Sequence, residues 1–166
     1  MVGASAVFVL GFLLHFAYDW SGSSRVVAAV APANESVWEH LKLVVIPVTL
    51  LGVVEMKWVV DRGRLWWAKL VEIAVACGFI VVFFYTYTGA FGVRSITAVD
   101  IASFFIAVAL GQWTSYRLLA SSGRVPRLWV SVTGTMLMTV GFVVLTFVPP
   151  HIPLFQESPT GAYGPA

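Results

Sequence analysis

Histidine and carboxylate residues recur one helical turn apart near the start of the chain, as His15 with Asp19 and Glu35 with Glu39, and His40 follows directly. On a helix, residues at i and i+4 share a face. Histidine and carboxylate side chains projecting from neighbouring helices are a familiar way to hold a divalent metal inside a bundle. The ligand set these spacings predict is His15, Asp19, Glu39 and His40. Glu35 or Asp100 would then serve as general base on a water acidified by the metal. Asn34, Tyr85 and Tyr87 would orient a substrate oxygen. The spacing is not HExxH or another diagnostic signature, so zinc, manganese and iron all stay open.

Each residue also has a plainer role. The stretch Asn34–Lys42, "NESVWEHLK", precedes an apolar run and reads as a helix start, where Asn, Ser and Glu suit the unpaired N–H groups and the positive dipole end. Ser36 to Glu39 has capping-box spacing, with Glu39 reaching back to the Ser36 backbone. Trp38 would anchor at the membrane interface and Lys42 would snorkel to water. Tyr85 and Tyr87 fit an aromatic belt, and Asp100 fits a helix start. The cap gives no role to His40, nor to His15, which lies well inside an apolar run. Pro47 should kink its helix and free a backbone carbonyl near the motif.

What must position these residues follows from composition. Of 166 residues, 59% are hydrophobic and 11% charged, with a mean hydropathy of +0.88. A soluble domain carries about 25% charged residues. The apolar residues fall into runs long enough to cross a hydrocarbon core about 30 Å thick. The sequence therefore predicts an all-α polytopic membrane protein with five transmembrane helices, near residues 4–20, 41–60, 65–87, 99–119 and 128–148. Gly, Ser and Pro punctuate every break, in "SGSS", "DRGR", "TGAFG", "SSGRVP" and Pro149-Pro150. The first run lacks a basic leader, and its small-residue trio "ASA" precedes the apolar stretch, so it reads as a retained helix instead of a signal peptide. Cys77, the single cysteine, excludes an internal disulfide and reads as packing. A net charge of +2 without a basic stripe points away from nucleic acid.

Basic residues set the orientation. Lys57, Arg62, Arg64 and Lys69 flank one connection and Arg117, Arg124 and Arg127 another, both on the N-terminal side of the membrane; the other side holds Arg25, Lys42 and Arg94. Seven against three predicts the N-terminus inside, the C-terminus outside, and a multi-pass protein of the cytoplasmic membrane. The outer layer then collects Asp19, Glu35, Glu39, Asp100 and Glu157 with all three histidines, His15, His40 and His151. Such convergence of sequence-distant ionisable groups marks a site. "RVVAAVAPA", too short to span, should lie over this cluster. The Pro- and Gly-rich residues 149–166 should run extended on the outer face, with Phe155 and Tyr163 available to dock them. On the inner half, Glu55 and Glu72 are expected to pair with Lys57 and Lys69, and Trp66-Trp67 to anchor at the interface.

"LLHFAYDWSG", "NESVWEHLKL", "FYTYTG" and "PLFQESPTGAYG" together resemble a family of small prokaryotic membrane proteins catalogued as a domain of unknown function. The resemblance covers nearly the whole chain and implies a bacterial or archaeal cytoplasmic membrane protein, with no assigned activity. Two functions fit the residues. One is a metal-dependent hydrolase or transferase acting on a lipid or lipid-linked substrate. The other is a non-catalytic subunit of a transporter or respiratory complex, binding an ion, a quinone headgroup or a protein partner. Haem ligation by His15 and His40 is a third, with little else to favour it.

Overall fold

A computed structural model describes residues 2–157 and 160–165. The helices are α1 (Val2–Trp20), the short α2 (Arg25–Ala28), α3 (Val37–Glu55), α4 (Arg62–Phe91), α5 (Thr97–Ala120) and α6 (Leu128–Phe147), followed by a 3-10 turn at Pro153–Phe155. Five of them are long and apolar enough to cross a membrane. No strand forms among the described residues, whose only extended pairing is an isolated bridge between Gln156 and Tyr163. Large apolar side chains such as Phe12, Leu50, Val82 and Leu137 are exposed on the outside of the bundle, as expected where the surrounding medium is lipid.

Local chemistry sets the helix limits. The Ser36 hydroxyl accepts the Glu39 N–H at 3.3 Å to open α3, and the Asp61 carboxylate accepts the Arg64 N–H at 2.9 Å to open α4. Gly92, at φ 64°, ends α4 in the left-handed conformation that glycine adopts without strain. At 30 residues, α4 is longer than the span expected over 65–87, adding three residues before it and four after it. Beyond its first end, Arg64 bonds Ser121 Oγ at 3.1 Å and the Gly123 carbonyl at 2.9 Å, tying two connections together.

α3 is the central element: 61% of its span is buried, against 17–33% for the other four long helices. It packs against α1, α4 and α6, and α5 lies along α4. Val7, Val44, Val45, Ile73, Ala107 and Phe142 meet in the core. Pro47 lies inside α3 and has no N–H for the carbonyl of Leu43, four residues earlier. α1 comes closest at that point. A Cβ on Gly11 would stand 2.8 Å from the Leu43 oxygen, so only glycine lets the two backbones meet there.

At the end opposite His15, Lys69 is 2% exposed and pairs with Glu55 at 2.9 Å and Glu72 at 3.3 Å. Gln112 donates to the other Glu72 oxygen. Lys57, expected to share this work, is exposed and makes no ion pair among the described residues. Trp66 differs from expectation too. It is buried, with Nε1 directed at Met56 Sδ at 3.2 Å, because the connection after α3 folds back over it.

Candidate functional site

The two ends of the bundle differ in chemistry. The C-terminal half of α1, the start of α3, the end of α4, the start of α5 and the end of α6 share one end, and the candidate site residues gather there. Among the described residues, a single group of His, Cys, Asp or Glu side chains has three ligand atoms close enough for one ion: His15, Glu35 and His40, all within 4.8 Å of one another.

His40 is the best defined of the three. Its Nδ1 lies 2.8 Å from the Ser36 carbonyl, an acceptor only, so the ring proton belongs on Nδ1. Nε2 then faces Glu35 Oε2 at 3.3 Å. A nitrogen lone pair facing a carboxylate requires a cation between them, either a second ring proton or a metal ion. His15 contributes an aromatic neighbour, its ring 5.3 Å from that of His40. Its Nδ1 is buried and has no hydrogen-bond partner among the described residues. The hydrogen bond with His40 holds the Glu35 carboxyl below its ordinary value near 4.5, with burial opposing the shift. Two imidazole nitrogens and one carboxylate oxygen suit zinc or iron, and a three-ligand set leaves a coordination position open. A backbone carbonyl on the far nitrogen of a histidine is the usual support for such a ligand. The chain's residues therefore fit a divalent metal.

The geometry redistributes the expected roles. Glu35, expected as a base, stands with His15 and His40 in the group of three close ligand atoms. Asp19 is exposed, one turn beyond His15, and lies outside the group. Glu39 is 3% exposed and its oxygens are taken. Oε1 accepts the Thr146 hydroxyl at 2.8 Å, while Oε2 accepts the Ala33 N–H at 2.8 Å and Lys42 Nζ at 2.7 Å. The expected return of Glu39 to the Ser36 N–H does not occur, since Asn34 Oδ1 accepts that N–H at 2.9 Å. Lys42 corrects its own expectation. It is fully buried and does not snorkel, because the Ala28 and Ala31 carbonyls, at 2.7 and 3.2 Å, replace water around its ammonium.

The remaining residues brace this end. Asn34 Nδ2 donates to the Gly164 carbonyl at 2.9 Å. Tyr87 is buried and gives its hydroxyl to Asp100 at 2.5 Å, and Asp100 also accepts from Ser95 at 2.6 Å. Tyr85 is exposed. Trp38 is covered, its ring stacked 4.1 Å from Phe142 and 4.5 Å from Phe155, which brings residues 153–157 back over α3. Thr146 carried no usable signal in the sequence: a threonine in an apolar span is ordinary.

Five helices long and apolar enough to cross a membrane define a multi-pass helical membrane protein. The chain belongs to a family of unknown function, DUF6512, which it matches over residues 1–165. No curated protein and no solved structure matches it.

Proposed function

We propose that the chain is a metal-dependent membrane enzyme, a hydrolase or transferase acting on a lipid or lipid-linked substrate at the outer face of the cytoplasmic membrane. The observation that carries this reading is the convergence of His15, Glu35 and His40 at one end of the bundle. These three residues would hold a divalent ion, which when bound supplies Lewis acidity at its open position. Ser36 fixes the His40 ring so that Nε2 faces inward, and the Glu39–Lys42 pair holds the turn from which Glu35 and His40 project. Asp19, exposed one turn beyond His15, would take a proton from water. The distribution of basic residues supports an inside N-terminus, which puts this end outside.

Elemental analysis of detergent-purified full-length protein tests the reading, with His15→Ala, His40→Ala and Asp19→Asn prepared alongside. Near-unit zinc, iron or manganese is expected in the wild type and in Asp19→Asn, which lies outside the ligand group, with loss in both histidine variants. Wild-type protein that stays metal-free after incubation with each ion overturns the proposal and favours a non-catalytic subunit, to be sought by co-purification with a larger complex.

A further inference from the structure

A cavity of about 560 Å3 opens at the same end of the bundle as His15, Glu35 and His40. Val37, Phe84 and Val93 line part of it with carbon, and Tyr85 gives it a hydroxyl. Thr88, Gln156 and Thr160 add polar groups, and the charged residues of the lining are Arg94 and Glu157. Arg94 is exposed and makes no hydrogen bond or ion pair among the described residues. Glu157 Oε1 accepts the backbone N–H of Glu35 at 3.3 Å, and its other oxygen accepts the Thr160 hydroxyl. Each carboxylate oxygen offers two lone pairs, so both retain capacity. The cavity thus adjoins the turn that carries a candidate metal ligand.

Its chemistry selects among ligands. A free inorganic anion has no use for the carbon lining. An anionic lipid headgroup would meet the Arg94 guanidinium but also the Glu157 carboxylate. A zwitterionic headgroup matches both charges: the guanidinium takes the phosphate through paired N–H donors and the carboxylate takes the ammonium. Phe84, two turns before the end of α4, and Val93, just past it, would lie beneath the lipid's glycerol and upper acyl carbons. We propose that this cavity binds the headgroup of a zwitterionic, amine-bearing phospholipid, with phosphate on Arg94 and ammonium on Glu157. As a substrate assignment it rests on the metal-dependent lipid chemistry proposed above; as a binding site it does not.

Native mass spectrometry of the full chain in detergent tests this, with phosphatidylethanolamine, phosphatidylglycerol and inorganic phosphate as probes. Phosphatidylethanolamine is expected to be retained in preference to the other two. Arg94→Gln should weaken its binding roughly tenfold, as loss of a charge-assisted hydrogen bond does, and Arg94→Lys should restore part of it. Glu157→Gln should abolish the preference over phosphatidylglycerol. Metal content of Arg94→Gln should stay that of the wild type. Equal retention of phosphatidylglycerol or phosphate by the wild type, or unchanged binding in Arg94→Gln, overturns the site. Arg94-dependent binding in a protein that takes up no metal supports the site while overturning the metal reading.

Discussion

Lys42 is fully buried and Glu39 is 3% exposed, and the two side chains pair at 2.7 Å. Replacing Lys42 with Met removes the ammonium and keeps most of the side-chain volume. The carboxylate would lose its partner at 2.7 Å, and the Ala28 and Ala31 carbonyls would lose their donor. Breaking a buried pair from one side costs about 3–5 kcal/mol, because the remaining charge is stranded. Two stranded carbonyls place this variant toward the upper part of that range. For a chain of this size 1 kcal/mol moves Tm by about 2–4 °C, so the expected drop is about 10–20 °C. Thermal unfolding in detergent, followed by tryptophan fluorescence, gives the reading. The double variant Glu39→Gln/Lys42→Met removes the stranded charge and should recover about 2 kcal/mol relative to the sum of the single changes. A Lys42→Met protein that melts within about 4 °C of the wild type would show that water reaches the ammonium, and the buried network described above would be refuted.

Gly11→Val forces a side chain against the Leu43 carbonyl, where even a Cβ stands at 2.8 Å. Overpacking of this kind costs about 1–3 kcal/mol, read as a lowered Tm, whereas Gly141→Val, with nothing near its Cβ, should change it little. With chelator present, the depressed Glu35 carboxyl makes a small, pH-dependent contribution. Its stabilisation is complete above the unfolded value near 4.5 and is lost as pH falls through the lower folded value. Melting temperatures taken from pH 7 to pH 3 should therefore fall less for Glu35→Gln than for the wild type over the acid end of the series; identical curves would show that the His40 contact does not form without metal. Phe155→Ala removes the ring packed on Trp38, and hydrogen exchange should rise across residues 151–157 and at Glu35, whose N–H is held by Glu157.

The architecture was readable from the sequence because hydrophobic length and Gly/Pro/Ser punctuation are local properties. The convergence of His15 and His40 was readable as well, since alternating spans bring the end of the first and the start of the second to one side. The division of labour between Glu35 and Glu39 was not. The i, i+4 rule assumes that both residues are helical, and Glu35 precedes the Ser36 cap, so its side chain leaves the turn in its own direction. Lys42 was misjudged for a related reason. Snorkelling assumes that water is the nearest source of acceptors, but carbonyls of residues 28 and 31 lie closer, supplied by a segment with no helical period to read. Thr146 shows the limit most plainly: its bond to Glu39 joins residues 107 positions apart, and nothing local encodes it.

That long-range bond also sets an order of events. The three candidate ligands all lie within residues 15–40, near the beginning of the chain. The groups that hold their turn come from the far end: Thr146 on Glu39, Glu157 on the Glu35 N–H, and Gly164 on Asn34. A ribosome thus delivers the ligands first and the clasp last. While the early helices insert, the histidines and Glu35 remain unlocked, and the site closes only when α6 and the residues after it arrive.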